Sequence, residues 1–328
     1  MAGAPVSGTV HARAPGKLNV QLRVGSALAD GYHQVASAYQ AVGLFEEVWA
    51  TRSREITVAV RGPRATAGVP LGDDNLAVRA AKLLAAAADY RGGVDLVIEK
   101  HVPVAGGMGG GSADAAATLV ACDALWGIGL GRDDLATLGA RLGADVPFAL
   151  LGGTAIGTGR GDELSPALAQ GSFHWVLVFS DVGLSTPDVY REIDRLREAD
   201  PALAVRPDVA PMVDPAALQA LRAGDPFLLG PTLHNDLQEA ALALAPQLES
   251  VFVAGEAAGA IVGLVSGSGP TVAFLAEDAQ SAAGIRAQLV AQGYDAHRVS
   301  APVGGARIVH DDRPDVHPAG TGRREFDA

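Results

Sequence analysis

A glycine-rich segment at residues 103–112 is the part of the chain whose composition most clearly predicts chemistry. It reads Pro-Val-Ala-Gly-Gly-Met-Gly-Gly-Gly-Ser and runs directly into an alanine-rich stretch that ends at Leu125. Glycine permits positive φ angles and a close approach of the backbone to a ligand, and a following helix presents unpaired N–H groups to an anion. The segment therefore predicts a cradle for the phosphates of a nucleotide triphosphate. A glycine-rich tight turn without a ligand is the alternative.

The spacing of this segment excludes the two common glycine loops. A P-loop continues with lysine and then serine or threonine, whereas Gly111 is followed by Ser112 and Ala113. A dinucleotide-binding fingerprint requires glycine at its sixth position, and counting from Gly107 that position is Ser112. The cradle must belong to another class of phosphate-binding protein.

Lys17 is a candidate catalytic cation. Lysine occurs only at positions 17, 82 and 100 among the 25 lysines and arginines of the chain. A phosphoryl-transfer site uses a compact point charge with a tunable pKa, which lysine provides and arginine does not. We interpret Lys82, which lies in a helical pattern, and Lys100 as surface lysines.

The strand that carries Lys17 predicts which neighbours share its site. Side chains alternate along a strand, so Lys17, Asn19 and Gln21 share one face, and the apolar residues at 18, 20 and 22 share the other. The apolar face is expected to pack and the polar face to line a site. A solvated strand face is the alternative.

Composition bounds the class of protein. The chain has 328 residues, 48% hydrophobic and 19% charged, which predicts a globular protein of about two domains. The net charge of −12 argues against nucleic-acid binding, which needs clustered cations, so an anionic ligand must be held locally. The single cysteine, Cys122, excludes an intrachain disulfide and fits a reducing compartment.

Two segments bear on location. Residues 1–10 lack the basic and apolar regions of a signal peptide. The uncharged segment 257–276 contains glycines, serines and a proline, which favour two buried strands around a loop over a membrane span. The expected location is cytoplasmic, with no membrane partner.

Hydrophobic periodicity and turn residues predict an α+β organisation in two mixed domains, at 1–164 and 165–303, followed by a disordered tail at 304–328. In the first domain, strands are expected at 6–13, 17–24, 40–51, 56–61 and 94–100, and helices at 74–90, 112–126 and 133–142. In the second, strands are expected at 173–180, near 260 and 271, and at 296–299, with helices at 186–197, from 236 to about 257 and at 278–292, packed on one side of the sheet.

Four separated segments together resemble a known superfamily. They are residues 13–19 (Arg-Ala-Pro-Gly-Lys-Leu-Asn), the loop at 103–112, residues 143–147 (Gly-Ala-Asp-Val-Pro) and residues 266–270 (Ser-Gly-Ser-Gly-Pro). Their order and separation resemble the three motifs of the GHMP kinases, with Asp145 between the second and third. The resemblance covers about residues 8–300 and implies the two-domain GHMP kinase fold, with a ferredoxin-like α/β C-terminal domain and an active site in the cleft between the domains.

Further segments resemble one branch of this superfamily. Asp30-Gly31-Tyr32-His33, Phe148 after the third segment's proline, Ser185-Thr186-Pro187 and Asn235-Asp236-Leu237 are similar to the kinases that phosphorylate the 2-hydroxyl of a cytidine-diphosphate-linked methylerythritol in the non-mevalonate route to isoprenoid precursors. Met108, Gly16 and Tyr190 stand where leucine, alanine and phenylalanine are usual in some members, and none of these departures removes a required functional group.

The resemblance implies ATP as phosphoryl donor, Mg²⁺ as its metal, and two small-molecule substrates, ATP and a cytidine-diphosphate-linked alcohol. It makes Lys17 and Asp145 catalytic, with Asp145 accepting the hydroxyl proton; capping of a short helix begun by Pro147 is the alternative for Asp145. The implied ATP-binding residues are Pro103, Val104, Ala105, Gly106, Gly107, Met108, Gly109, Gly110, Gly111, Ser112 and Ala113. The implied substrate-binding residues are Asn19, Tyr32, His33, Thr186, Tyr190, Gly267, Ser268 and Gly269.

Three details of these roles follow from side-chain chemistry. Ser112 is expected as the first residue of the phosphate-binding helix, where its hydroxyl can cap the helix or contact Mg²⁺, and Asp114 is expected to compensate the helix dipole. Tyr32 and Tyr190 can stack on cytosine and His33 can read its edge, with a buried core tyrosine as the alternative. The loop at 266–270 is expected to close over phosphates through its N–H groups.

Two other functions compete with this one. Another GHMP kinase, of the homoserine or mevalonate type, is disfavoured by the Asp-Gly-Tyr-His segment. A nucleotide-binding sensor without catalysis is disfavoured because it would need the glycine loop but not both Lys17 and Asp145.

Overall fold

The computed structural model describes residues 8–29, 31–65, 68–206 and 209–309. The strands are β1 (Thr9–Ala27), β2 (His33–Ser53), β3 (Ile56–Arg61), β4 (Gly93–Glu99), β5 (Thr154–Thr158), β6 (Glu163–Pro166), β7 (Phe173–Phe179), β8 (His234–Asn235), β9 (Val262–Val265), β10 (Val272–Ala276), β11 (Asp295–Ala301) and β12 (Arg307–Ile308). The helices are α1 (Leu76–Ala87), α2 (Gly110–Trp126), α3 (Arg132–Ala140), α4 (Asp145–Leu151), α5 (Thr186–Ala199), α6 (Pro215–Ala223), α7 (Pro226–Leu229), α8 (Gln238–Leu244), α9 (Leu248–Ala257) and α10 (Ala279–Ala291).

Two sheets organise these elements. The first runs β12-β1-β2-β4-β3, with β5 paired to β2, β6 to β5 and β8 to β1. The second is antiparallel in the order β11-β7-β10-β9. Counted along the chain, the second sheet has its fourth, first, third and second strands side by side, which is the ferredoxin-like arrangement that the sequence predicts.

The sheets and helices stack in layers that enclose three large clusters of buried side chains. Helices α1 to α4 pack on one face of the first sheet, and the alanine-rich α2 lies innermost because its short side chains allow close approach. Residues of β1 and β2, such as Leu18 and Val20, meet Trp175 and Leu177 of the second sheet. Helices α5, α8, α9 and α10 cover the other face of that sheet, around Phe274. The α+β architecture is thus confirmed.

Several element predictions are confirmed with shifted ends, and others are wrong. The strands predicted at 6–13 and 17–24 are, over the described residues, the single strand β1 from Thr9 onward, since Pro15 and Gly16 are accommodated at a register shift against β2. The helix predicted from 236 to about 257 is two helices, broken at Pro246, which cannot continue a helix. Helix α6 begins after Asp214, whose side chain accepts a hydrogen bond from the N–H of Ala216, in a stretch to which the sequence analysis assigned no helix or strand.

The domain limits also differ from the expectation. The boundary at 164/165 falls inside β6, which pairs with β5 of the first sheet, so the chain changes sheet between Pro166 and Phe173. The first residues of the expected tail are structured, because Arg307 and Ile308 pair with β1 and Gly304 bridges to Gly152. The remainder of that tail, 310–328, lies outside the described residues.

The uncharged segment 257–276 forms the end of α9, then β9 and β10 around a loop, as predicted. No helix within the described ranges is both long and apolar enough to cross a membrane.

Candidate active site

A cavity of about 570 Å³ lies where the glycine loop, β1, β2 and the start of α4 meet the second sheet's loops. Among its lining residues are Lys17 and Asn19 of β1, Asp145 of α4, and Thr186 and Tyr190 of α5. The structure therefore brings together the residues that the sequence predicts to be catalytic and most of those predicted to bind ligands. The chemistry of each wall follows from the elements that hold it.

The glycine loop has a fixed shape because two of its residues occupy the left-handed region. Gly107 and Gly109 have φ angles of 75° and 71°, which side-chain-bearing residues rarely adopt. A Cβ on Gly107 would also collide with the carbonyl oxygen of Ser266 and lie 2.8 Å from the backbone nitrogen of Gly269. The backbone of Lys17 donates to the carbonyl of Met108 at 3.0 Å, so a backbone hydrogen bond joins the loop directly to the strand that carries Lys17.

Helix α2 begins at Gly110, with Gly109 as its N-cap residue. The backbone nitrogen of Ala113 donates to the carbonyl of Gly109 at 2.9 Å, so the N–H groups of residues 110–112 precede the first helical hydrogen bond. These N–H groups and the positive end of the helix dipole are available to an anion in the cavity. The prediction that Ser112 begins the helix is wrong: Ser112 lies within the first turn and does not cap it.

Lys17 is held in place by a chain of hydrogen bonds. Its ammonium group donates to Oδ1 of Asn19 at 2.6 Å, Nδ2 of Asn19 donates to the hydroxyl of Ser37 at 2.7 Å, and that hydroxyl donates to the carbonyl of Gln21. The ammonium also lies 5.7 Å from the ring centre of Tyr39. Because Lys17 is only 8% exposed, its charge acts in a site largely shielded from water.

Asp145 faces Lys17 from the neighbouring helix. It is the first residue of α4, and Oδ2 lies 3.9 Å from Nζ of Lys17. Ala144 occupies the cap position, and the Asp145 side chain makes no capping hydrogen bond, so helix capping does not explain this aspartate. Burial of the Tyr190 hydroxyl, and next the negative charge of Asp145, raise the pKa of Tyr190 to about 12. The same two causes also raise the pKa of Tyr39.

A bulge in β1 changes which residues face the cavity. The register against β2 shifts between Asn19 and Gln21, and a shift of one residue reverses the inward and outward faces. Leu22 therefore lines the cavity, although it was expected on the packing face. Gln21, expected on the site face, instead donates to the carbonyl of Thr232 and accepts from the backbone of Asp214.

The loop at 266–270 packs against the glycine loop. The hydroxyl of Ser266 donates to the carbonyl of Gly107 at 3.2 Å, and Nδ2 of Asn235 donates to the carbonyl of Gly267 at 2.7 Å. The hydroxyls of Ser268 and Thr186 lie 2.9 Å apart. Gly267 and Ser268 line the cavity, whereas the N–H of Gly269 donates to the carbonyl of Ser266 within the loop's own turn.

Of the residues predicted to recognise cytosine, only Tyr190 lines the cavity. The ring of His33 packs 5.0 Å from the Tyr190 ring, with Nε2 of His33 2.8 Å from Oδ1 of Asp194. Tyr32 is 56% exposed, and the guanidinium of Arg160 lies over its ring at 4.0 Å. Arg160, rather than Tyr32, contributes to the cavity wall. His33 and Tyr32 thus stand behind Tyr190 and Arg160.

Two predicted ATP-binding residues point their side chains away from the cavity. Met108 and Ala113 are fully buried in the hydrophobic core, so their contribution is confined to the backbone. The other nine residues between 103 and 112 line the cavity.

Comparison with known proteins gives a consistent assignment. The family model for the GHMP kinase N-terminal domain matches residues 75–153, and that for the GHMP kinase C-terminal domain matches residues 217–295. The chain is 60% identical over 93% of its length to a 4-diphosphocytidyl-2-C-methyl-D-erythritol kinase of Clavibacter michiganensis subsp. michiganensis, of which it covers 98%. It is 57% identical over 92% of its length to the kinase of the same name from Leifsonia xyli subsp. xyli, of which it covers 99%.

This chain belongs to the 4-diphosphocytidyl-2-C-methyl-D-erythritol kinase family. A crystal structure of a 4-(cytidine 5'-diphospho)-2C-methyl-D-erythritol kinase is also similar, with a TM-score of 0.71 and 33% identity over 90% of this chain and 100% of that chain. A homoserine kinase from Cytophaga hutchinsonii is 16% identical with a TM-score of 0.70, so that likeness shows the shared fold alone. As a GHMP kinase, the chain uses ATP.

Membership of the 4-diphosphocytidyl-2-C-methyl-D-erythritol kinase family does not by itself reveal three parts of the site. Sequence reasoning missed the wall formed by residues 68–70 and 74–76, where Asn75 caps α1 and donates to the carbonyl of Pro70. It missed Tyr39 beside Lys17, because nothing local distinguishes that tyrosine from a core residue. It also interpreted Lys100 as a surface lysine, although Lys100 is 2% exposed.

Proposed function

We propose that this enzyme transfers a phosphoryl group from ATP to the 2-hydroxyl of 4-diphosphocytidyl-2-C-methyl-D-erythritol, in the non-mevalonate route to isoprenoid precursors. The observation that carries the chemistry is the Lys17–Asp145 pair, 3.9 Å apart beside the start of the phosphate-facing helix. The acceptor's identity rests on membership of the family. We place the reaction in the cytoplasm, where ATP is available.

The carboxylate of Asp145 accepts the proton of the attacking hydroxyl. An aspartate has a pKa of about 3.9 and an alcohol a far higher one, so the proton moves together with the phosphoryl group and not before it. The hydroxyl oxygen forms a bond to the γ-phosphorus of ATP, and the bond between that phosphorus and the β–γ bridging oxygen breaks. ADP leaves, and the proton remains on Asp145. The ammonium of Lys17 stabilises the negative charge that develops on the oxygens around phosphorus.

The glycine loop and α2 bind the triphosphate. The N–H groups of residues 110–112 supply fixed donors, and no side chain intrudes at Gly109, Gly110 or Gly111 to keep the phosphates at a distance. Val69, Pro70 and Leu76 offer an apolar surface at this end of the cavity, which suits an adenine ring.

The residues present fit a magnesium ion held mainly by phosphate oxygens. In the described part of the chain, no three His, Cys, Asp or Glu side chains form a metal-binding group. Ser112 lines the cavity in the first turn of α2 and offers one hydroxyl oxygen. Mg²⁺ keeps several water ligands and needs few from the protein, so a single contact from Ser112 is sufficient. When bound, the ion would neutralise negative charge on the phosphates.

The opposite end of the cavity binds the acceptor. Thr186, Ser268 and the backbone at Gly267 surround the position between the triphosphate and Tyr190. Tyr190 provides an aromatic face for cytosine, with His33 behind it. Arg160 adds a cation at this end, which suits the negatively charged diphosphate of the acceptor.

A substrate panel tests this function. Purified enzyme with ATP and Mg²⁺ is given the cytidylylated alcohol, homoserine, mevalonate or galactose, and ADP release is measured, with Asp145→Asn protein as the control for background hydrolysis. Of the four acceptors, we expect only the cytidylylated alcohol to give rapid ADP release. Faster turnover of homoserine or mevalonate would refute the proposed acceptor.

A further inference from the structure

Three charged side chains are buried behind the glycine loop, in a cluster that the mechanism above does not use. Nζ of Lys100 lies 2.7 Å from Oε1 of Glu46 and 2.6 Å from Oδ2 of Asp114. The side chains of Lys100, Glu46 and Asp114 are 3%, 0% and 6% exposed. We call these three residues the buried charge cluster.

The cluster joins the two ends of the phosphate cradle. Lys100 directly follows β4, where the chain turns into the loop, and Asp114 lies in α2 just after the loop ends. Glu46, from β2, accepts hydrogen bonds from the backbone nitrogens of His101 at 3.1 Å and Val102 at 3.3 Å. The Glu46 carboxylate thus holds the backbone that leads into the glycine loop, and Lys100 links that carboxylate to Asp114 in α2, the helix that follows the loop.

Stability alone does not account for three charges in this place. Removing charges from water costs several kcal/mol per ion in real proteins, roughly offset by their attraction, and well-packed apolar residues are often as stable or more so. Moreover, Oδ1 of Asp114 is buried without a hydrogen-bond partner in the structure, a further cost. Lys100 and Asp114 nevertheless lie at the wall of the cavity, not deep in the core formed by α1 and the sheet.

We propose that Lys100, Glu46 and Asp114 are positioning residues for ATP: they fix the backbone at 101–102 relative to the first turns of α2, and so hold the N–H groups of residues 110–112 at the spacing that the triphosphate requires. This inference rests on the proposed function only in taking ATP as the ligand of the cradle. None of the three side chains touches the reacting atoms.

The geometry of Gly110 shows how the cluster acts on the helix start. A Cβ at Gly110 would lie 3.1 Å from Oε1 of Glu46 and 3.2 Å from the side chain of Val102. The Glu46 carboxylate therefore packs directly under the first residue of α2 while its oxygens hold the N–H groups of His101 and Val102. A displacement of this carboxylate would move both sides of the cradle at once.

A neutral triple variant, Lys100→Met/Glu46→Gln/Asp114→Asn, separates positioning from stability. It removes every charge of the cluster without leaving one unpaired, so we expect a melting temperature close to that of the wild type. We expect KM for ATP to rise at least tenfold while KM for the acceptor changes less than twofold. Glu46→Gln alone, which retains an oxygen acceptor, should recover much of the ATP affinity.

Lys82→Met is the matched control, because Lys82 forms an ion pair with Asp73 that is exposed and not buried. It should leave both KM values unchanged. Binding of a non-hydrolysable ATP analogue, measured by calorimetry, gives a readout independent of the acceptor, so failure of the proposed acceptor would leave this test intact. A triple variant that binds the analogue as tightly as the wild type, whatever its melting temperature, would overturn the positioning role.

Discussion

Replacement of Asp145 by asparagine tests the assignment of the proton acceptor. The amide keeps the shape of the side chain but cannot accept a proton at neutral pH, and acid–base catalysis contributes about 10²–10⁴-fold to a rate. We therefore expect kcat to fall by about 10²–10⁴-fold. Because Asp145 lies in α4 and not in the glycine loop, the dissociation constant for ATP should stay within a few-fold.

The stability of this variant is a built-in control. Asp145 is the first residue of α4, and a negative charge at a helix N-terminus contributes about 0.3–1 kcal/mol. The melting temperature should therefore fall only slightly, so that lost activity reports on chemistry and not on unfolding. A folded Asp145→Asn protein that keeps a tenth or more of wild-type kcat would refute the assigned role.

The pairing with Lys17 predicts a second, independent signature. At 3.9 Å, two unit charges attract by about 4 kcal/mol at an effective dielectric constant of 20, and the 31% exposure of the Asp145 side chain reduces this. Lys17→Met should therefore lose nearly as much kcat as Asp145→Asn, and the double variant should lose less than tenfold beyond the worse single variant. Losses that multiply in steady-state assays of ADP release would mean that the two residues act separately.

Three further changes have defined outcomes. Gly107→Ala should weaken binding of ATP, measured by calorimetry. The new Cβ would collide with the backbone of Ser266, and the positive φ is unfavourable for alanine; each strained site costs about 1–3 kcal/mol. Unchanged affinity would mean that the triphosphate binds at another place. His33→Ala should raise KM for the acceptor and spare KM for ATP, because it removes the ring that packs against Tyr190 at the cytosine end of the cavity, and free CDP should compete with the acceptor. An effect on KM for ATP instead would refute the cytosine site. Burial and the neighbouring Asp114 raise the pKa of Glu46 above its unfolded value, so keeping this carboxylate ionised in the folded state costs free energy, and thermal stability should decline as the pH rises above the pKa of Glu46 in the unfolded chain. Glu46→Gln should flatten that decline, and an equally steep profile would contradict it.

Local sequence patterns predicted the parts of the site that depend on local geometry. The glycine loop, the following helix and the alternation that directs Lys17 and Asn19 into the cavity all follow from spacing along one segment. The alternation failed at Gln21 because the β1 bulge is a property of the pairing with β2, which spacing in one strand does not reveal. The start of α6 after Asp214-Pro215 was visible in the sequence as a capping residue and a first-turn proline, and the prediction overlooked it.

The charge cluster shows the other limit. Lys100 stands in a polar context that is typical of a surface lysine, and its partners Glu46 and Asp114 lie on different elements. Only the folded structure brings a strand residue, a strand end and a helix turn together behind the loop. Ion pairs between residues far apart in sequence leave no periodic pattern in any one segment. The fold class could therefore be predicted from the sequence, whereas the buried charge cluster could not.

The route of the chain between the two sheets constrains how the cleft can open. The backbone crosses from the first sheet to the second between β6 and β7, returns to pair β8 with β1, and comes back again to pair β12 with β1. A single linker would allow the two halves to swing apart. Here the chain crosses between the sheets several times, and two of the returning strands, β8 and β12, pair with β1, which restricts such a hinge motion. Ligand exchange should therefore depend on local movement of the cavity rim, and the two halves should melt together in one transition.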